Sequence, residues 1–352
     1  MSVNPEFWSG KKVLITGHTG FKGGWLSIWL KEMGAVLTGL SLPPNTAPSL
    51  FECARVEKGM TSVIGDIRDY ATVKRVFDEC HPEIIFHMAA QPLVRLSYED
   101  PLLTYTTNVI GTANILEATR HSSSVRSVVN VTTDKCYENR EWVWGYREND
   151  PMGGYDPYSS SKGCAELLTN AYRHSFFSKE KIAVATARAG NVIGGGDWSK
   201  DRLIPDIFSA FDAGRAVTVR NPHAIRPWQH VLEPLSGYLM LAEKLSSSEL
   251  GFDEAWNFGP QDDGACSVQV LLDKIINLWG DGASWVKQEG DHPHEASYLK
   301  LDISKARTGL MWEPKWNLDK ALEKTVIWHK AWRAGEEMDS ICLGQISDYF
   351  ES

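Results

Sequence analysis

No run of about 18 uninterrupted apolar residues occurs in the 352-residue sequence, so no membrane-spanning helix is expected. No apolar stretch stands behind a basic N-terminal segment either, so a secretory leader is not expected. Cysteine is scarce and scattered: Cys53, Cys80, Cys136, Cys164, Cys266 and Cys342, with no CxxC spacing. That pattern argues against a disulfide framework and a structural zinc site, and for reduced thiols in a cytoplasmic protein. Positive charge is also short. Lys plus Arg number 36 against 45 Asp plus Glu, a formal net charge of −9. A nucleic-acid binder needs a basic face to displace counterions, so that class is disfavoured, although a few local arginines suffice for an anionic small molecule. What is present is ordinary for a soluble globular chain: 43% hydrophobic and 23% charged residues. Repeats and low-complexity tracts are lacking.

At roughly 150 residues per domain, the length suggests two domains or lobes. The first half alternates. Apolar runs at 12–16, 35–40, 61–64, 83–88, 127–131 and 182–186 read as strands, and 25–30, 70–80 and 105–120 repeat at helical spacing. Strands apolar on both faces, alternating with helices, imply a parallel sheet covered on both sides. This is the doubly wound α/β (Rossmann) design. After about residue 190 the pattern turns irregular and proline-punctuated. We divide the chain into a dinucleotide-binding domain at 1–190 and a smaller, mixed C-terminal substrate lobe at 191–352, parts of which can return to the first domain. Segments 135–157 and 285–297 read as long loops. Trp25 and Trp29, four apart on a helix, read as packing residues.

Gly17-His18-Thr19-Gly20-Phe21-Lys22-Gly23 follows the first strand and opens the first helix. Glycines allow the tight turn and the close approach of backbone N–H groups to a pyrophosphate, and the helix N-terminus adds its positive end. No GK[ST] closes the loop, so it is not a nucleotide-triphosphate loop. The second strand ends Gly39-Leu40-Ser41-Leu42-Pro43 without the acid that usually holds the adenosine ribose. No arginine replaces it, which favours NAD over NADP. Asp66 and Ile67, after the third strand, suit adenine.

Tyr158 and Lys162 form a YxxxK pair, which one helix face would bring together. A phenol has pKa about 10, and a neighbouring ammonium lowers it toward use as a base. Thr133-Asp134-Lys135 follow the fifth strand at the carboxyl end, where ligands of such sheets bind.

With His87-Met88-Ala89-Ala90, Asn108, Arg188-Ala189-Gly190-Asn191, Arg202-Leu203-Ile204-Pro205, Arg226-Pro227-Trp228 and Tyr298-Leu299-Lys300-Leu301-Asp302, these motifs span nearly the whole chain. Together they resemble the extended short-chain dehydrogenase/reductase family of nucleotide-sugar enzymes. The Thr-Asp-Lys run is similar to the Thr-Asp-Glu of its dehydratases, with lysine in place of glutamate. The resemblance implies NAD-dependent 4,6-dehydration of a nucleotide-diphosphate sugar, a CDP-sugar by overall similarity, in deoxysugar and O-antigen precursor synthesis. It implies Thr133, Asp134, Lys135, Tyr158 and Lys162 as catalytic residues. Tyr158 would take the C4 hydroxyl proton, Thr133 polarise that oxygen, Asp134 protonate the leaving C6 hydroxyl, and Lys135, neutralised by burial, remove the C5 proton. The cofactor would meet Gly17, Gly20, Phe21, Lys22, Gly23, Asp66, Ile67, Ala89, Ala90, Asn108, Tyr158 and Lys162. The substrate would meet Arg95, Thr133, Asn191, Arg202, Leu203, Arg226 and His294. No metal is implied, although His292, His294 and Glu295 lie close together. Neither nucleic acid nor membrane is an implied partner. Helices at 101–120 and 158–176 would pair subunits into a homodimer or homotetramer. A 4-epimerase or another nucleotide-sugar dehydratase is the alternative. A simple reductase or a non-catalytic NAD-binding regulator fits less well, because both Tyr158 and Lys162 are kept and Asp134-Lys135 would have no task.

Overall fold

The computed structural model describes residues 2–178, 182–247, 251–261, 264–280, 282–288 and 299–352. Its frame is a parallel sheet of β1 (Lys12–Thr16), β2 (Val36–Ser41), β3 (Thr61–Ile64), β4 (Ile84–His87), β5 (Ser127–Val131), β6 (Ala183–Arg188) and a seventh strand, Ala255–Asn257. Across the sheet they run Ala255–Asn257, β6, β5, β4, β1, β2, β3. Val13 pairs with Leu37 on one side and with Ile84 on the other. The strand order therefore reverses at β1, and a crevice opens between the carboxyl ends of β1 and β4, where doubly wound sheets bind ligands.

Both faces are covered. Helices Phe21–Glu32, Leu232–Ser246 and Met338–Glu351 supply one apolar layer, with Trp25, Trp29, Leu235, Leu239 and Ile346 buried in it. Tyr70–Cys80, Gly111–Arg120 and Pro157–Tyr172 lie on the other side, over Val73, Ile115, Leu116 and Val128. A separate core of Ile207, Phe208, Leu271, Leu272 and Leu322 forms among the later segments. The C-terminal half sends several segments back. Leu232–Ser246 packs on β5 and β6, Ala255–Asn257 extends the sheet past β6, and Met338–Glu351 packs on Phe21–Glu32.

Two elements differ from the sequence reading. The helix expected at 105–120 is broken into Pro101–Tyr105, a widened π-turn at Thr106–Ile110, and Gly111–Arg120. The wide turn carries Asn108 and satisfies buried polar groups, a use π-turns often have at functional sites. The expected loop at 285–297 begins as a strand, Trp285–Lys287, paired with Val217–Val219; residues 289–297 lie outside the described residues.

Helix Pro157–Tyr172 starts where its sequence directs. Asp156 caps it by accepting from Ser159 N at 2.9 Å, and Pro157 occupies the first turn. Tyr158, Lys162, Glu166 and Thr169 then fall on one face, and three of them are fastened to strand residues. Lys162 Nζ donates to Val131 O (3.2 Å), Asn130 Nδ2 donates to Thr169 Oγ1 (2.8 Å), and Glu166 receives Arg188 Nε and Nη2 (both 2.8 Å) with Thr186 Oγ1 (2.7 Å). The Glu166–Arg188 pair is almost fully buried, with side chains 5% and 4% exposed. Leaving one buried charge without its partner costs about 3–5 kcal/mol. Arg188→Met should therefore lower unfolding stability by about that amount in urea titration, and a loss under about 1 kcal/mol would show that the pair does not anchor the helix.

Candidate active site

The glycine loop is built for close approach. Gly17 has φ +83°, and a Cβ there would lie 2.8 Å from Ala89 N; at Gly23 it would lie 2.1 Å from Gly17 O. Loop, first helix turn and the start of the segment after β4 are thus pressed together. Thr16 Oγ1 accepts from Met88 N and Ala89 N, both at 3.1 Å, and so ties β1 to β4 across the crevice. Gly20 opens helix Phe21–Glu32 with no side-chain cap, which leaves the first-turn N–H groups available to an anion. A pyrophosphate fits this cradle.

At the end of β2, where an acid was missing, the His18 ring covers Gly39, so closely that a Cβ at 39 would be 2.3 Å from it. His18 Nε2 bonds Ser62 Oγ at 2.7 Å, and burial pulls the imidazole down to about 4. Asp66 accepts from Arg68 N at 2.8 Å, and the Arg68 guanidinium holds its carboxyl low. Ile67 is buried under Gly111. Ala89 and Ala90 are half-buried after β4. Asn108 is buried and acts as a bracket: its Nδ2 donates to Gln91 O (3.1 Å) and Ser161 Oγ (2.9 Å), while its Oδ1 accepts from Gln91 N (2.8 Å).

The catalytic candidates converge at the carboxyl end of β5. Thr133 caps a short 3₁₀ turn, Asp134–Cys136, and donates through Oγ1 to Asp134 Oδ1 at 3.0 Å. The Tyr158 hydroxyl neighbours Thr133, whose hydroxyl favours the charged phenol. Burial pushes the phenol up to about 12, against the pull of Thr133 and Arg202. Burial also brings the Lys162 ammonium down to about 8, with Glu166 opposing. Asp134 is buried against the bare Cα of Gly190, where a Cβ would stand 1.9 Å from Oδ2. Lys135 departs from expectation. Its ammonium lies 6.0 Å from the Tyr158 ring centroid, but the residue is exposed and not buried as expected.

Among the substrate candidates, Arg202 is half-buried, donates to Asp197 Oδ2 at 2.9 Å and bears on the Tyr158 charge. Leu203 begins the next helix. Asn191 takes a left-handed backbone, φ +48°, just past β6. Arg95 is exposed and ion-paired with Asp201. Arg226 lies half-buried on strand Ile225–Pro227. His294 lies outside the described residues. The sequence reading did not pick out Glu166 or Tyr238. Spacing could have found the first, four residues beyond Lys162 on the same face. The second comes from a distant helix and carries no local signal.

The family described as GDP-mannose 4,6 dehydratase matches residues 14–325. This chain belongs to that family. It is 56% identical over 355 residues to the CDP-glucose 4,6-dehydratase of Salmonella typhimurium, covering 99% of each chain. It is 26% identical over 336 residues to the dTDP-glucose 4,6-dehydratase of Xanthomonas campestris, covering 90% of this chain and 92% of that one. Among solved structures, the dTDP-glucose 4,6-dehydratase of Bacillus anthracis in complex with NAD superposes with TM-score 0.77 at 21% identity, covering 94% of this chain and all of that one. The UDP-glucose 4-epimerase of Brucella ovis in complex with NAD gives TM-score 0.78 at 20% identity over 90% of this chain and 98% of that one. The fold is common to family dehydratases and to epimerases. Replacing Gly23 with alanine should break the phosphate cradle: NAD affinity, read by tryptophan fluorescence titration, is expected to fall at least about tenfold, or about 1.4 kcal/mol. Unchanged affinity would place the dinucleotide elsewhere.

Proposed function

We propose that this chain is an NAD-dependent hydro-lyase that converts CDP-glucose to CDP-4-keto-6-deoxyglucose and water. The observation that carries the reading is 56% identity to a CDP-glucose 4,6-dehydratase over 99% of both chains. The likeness to dTDP-glucose enzymes is far weaker, at 26% identity. The Thr133, Asp134, Lys135, Tyr158 and Lys162 constellation supports it. The product would feed deoxysugar and O-antigen synthesis in the cytoplasm.

NAD, when bound, supplies the acceptor for a hydride from C4 of the sugar and the donor that returns it to C6. Gly17, Gly20, Phe21, Lys22 and Gly23 would hold its pyrophosphate region, Asp66 and Ile67 its adenine. Ala89, Ala90, Asn108, Tyr158 and Lys162 would line the rest. Arg95, Asn191, Arg202, Leu203, Arg226 and His294 would hold the nucleotide sugar. Arginine forks suit a diphosphate.

The residues divide the proton work. Tyr158 takes the C4 hydroxyl proton, with Thr133 bonded to the same region. The 4-ketone acidifies C5–H, and Lys135 removes that proton and later returns it. Because Lys135 is exposed, the sugar itself would have to cover it for this role. Asp134 gives its proton to the C6 hydroxyl as water leaves. Over one turnover Tyr158 gains a proton and Asp134 loses one. One proton must therefore pass from Tyr158 to Asp134 to reset the site. Thr133, which donates to Asp134 and neighbours the Tyr158 hydroxyl, would carry it.

The assembly is read as a dimer of this chain, or a dimer of dimers. Leu102, Ile110 and Leu167 stand 76%, 51% and 60% exposed on helices 101–120 and 157–172, an apolar face that a second copy would cover.

Incubated with CDP-glucose and NAD, the protein should yield a product lighter by one water with no net reduced cofactor. Tyr158→Phe should cut kcat about 10²–10⁴-fold while thermal unfolding is unchanged. Unchanged substrate mass, or an isomer of equal mass, would replace this reading with an inactive protein or an epimerase. In sedimentation, Leu102→Asp with Leu167→Asp should convert the wild-type oligomer to monomer; an unaltered oligomer would rule out this face.

A further inference from the structure

His87 ends β4 opposite Thr16, the last residue of β1, and its ring is buried between two threonines. Nδ1 lies 2.7 Å from Thr16 Oγ1, and Nε2 lies 3.0 Å from Thr112 Oγ1. Which nitrogen carries the proton follows from what the two hydroxyls already do. Thr16 Oγ1 accepts from Ala89 N and from Met88 N, the latter shared with Thr16 O. Its lone pairs are taken, so its own proton goes to Nδ1. Thr112 Oγ1 gives its proton to Asn108 O at 2.7 Å, so toward the ring it can only accept, from Nε2. Both ends require a neutral imidazole protonated on Nε2. Burial favours the neutral ring as well and pulls it down to about 3.

Beyond Thr112 the order of donors continues. Asn108 Nδ2 donates to Ser161 Oγ at 2.9 Å, and Ser161 Oγ donates to Tyr158 O at 2.7 Å. The two halves meet at Asn108, whose peptide oxygen receives and whose side-chain amide gives. Five hydrogen bonds, all pointing one way, thus run from the residue before the glycine loop, through His87, to the peptide of Tyr158. Thr16, His87, Asn108, Thr112 and Ser161 are all buried, and buried polar groups keep their partners because losing one is costly. We propose that His87, neutral and protonated on Nε2, is a positioning residue for the reaction: it ties the wide turn of Asn108 to the cofactor crevice and, through Ser161, sets the first turn of the catalytic helix and the aim of Tyr158. It exchanges no proton with the substrate. This inference rests on the reading of Tyr158 as the base and of the crevice between β1 and β4 as the seat of NAD.

Two measurements test it. The first is magic-angle-spinning NMR of the full-length protein labelled with nitrogen-15 at histidine, with the His87 signals identified by their loss in His87→Asn. A bare Nδ1 and a protonated Nε2 are expected. The opposite tautomer, or an imidazolium, would overturn the proposal. The second is turnover of CDP-glucose at saturating NAD, with NAD affinity and thermal unfolding followed alongside. Thr112→Val keeps the shape and removes the hydroxyl. It should lower kcat about 10–100-fold while NAD affinity and the KM for CDP-glucose stay close to wild type. Thr112→Ser, which keeps the hydroxyl, should recover most of kcat. A Thr112→Val enzyme that melts earlier yet keeps wild-type kcat, or an equal kcat loss in the Val and Ser variants, would overturn the proposal and leave the chain of bonds to packing. A loss confined to NAD affinity would overturn it too, and assign the chain to the cofactor seat. If wild type releases no water from CDP-glucose, the dehydratase reading fails by itself, while the tautomer still supports or overturns the assignment of His87. Should Thr112→Val fail to fold, His87→Asn is assayed in its place, because it keeps an acceptor toward Thr16 and loses the donor to Thr112. A kcat loss at normal NAD affinity then supports the proposal, and wild-type kcat overturns it.

Discussion

The buried carboxylate of Glu166 is the contact on which the site is organised. It lies two turns along the helix from Tyr158 and one turn from Lys162, and it meets Arg188 in a two-pronged pair beneath them. Arg188 ends β6, and its guanidinium continues to Tyr137 Oη and Glu148 O. Tyr137 donates in turn to Asn257 on the last strand. One pair thus joins the catalytic helix, two strands and the loop after β5. The low dielectric that makes such a pair rigid also makes it intolerant of a missing partner. The rotation of the helix about its axis, and so the aim of Tyr158, follows from it.

Around this anchor, electrostatics are arranged against the resting charges. Burial pushes the Tyr158 phenol up and the Lys162 ammonium down. Such a site is poised for ligands that bring charge of their own. Glycine supplies the complementary feature. At Gly190 the absence of a side chain is what lets the Asp134 carboxylate lie at the end of the sheet.

The same frame serves dehydratases and epimerases, as its likeness to structures of both shows. Chemistry is therefore decided by few side chains on a shared scaffold. In the function proposed above, Asp134 and Lys135 would be the pair that an elimination needs and a simple oxidation does not. They stand on a three-residue turn capped by Thr133, the neighbour of the Tyr158 hydroxyl.

Much of this was legible in the chain itself. Period-two and period-3.6 patterns, with glycines between β1 and its helix, determine a doubly wound sheet, because a buried parallel strand must be apolar on both faces. YxxxK spacing places two side chains on one helix face, because four residues make about one turn. Other features were decided only by tertiary contact. Ala255–Asn257 is too short to show a period, and pairing with β6 makes it a strand. The widened turn at Asn108 exists because its amide must reach Gln91 and Ser161, which are far away in sequence. The exposure of Lys135 and the meeting of Lys22 with Tyr238, 216 residues later, depend on which elements pack together. Local spacing sets which side chains share a face; only packing sets what that face meets.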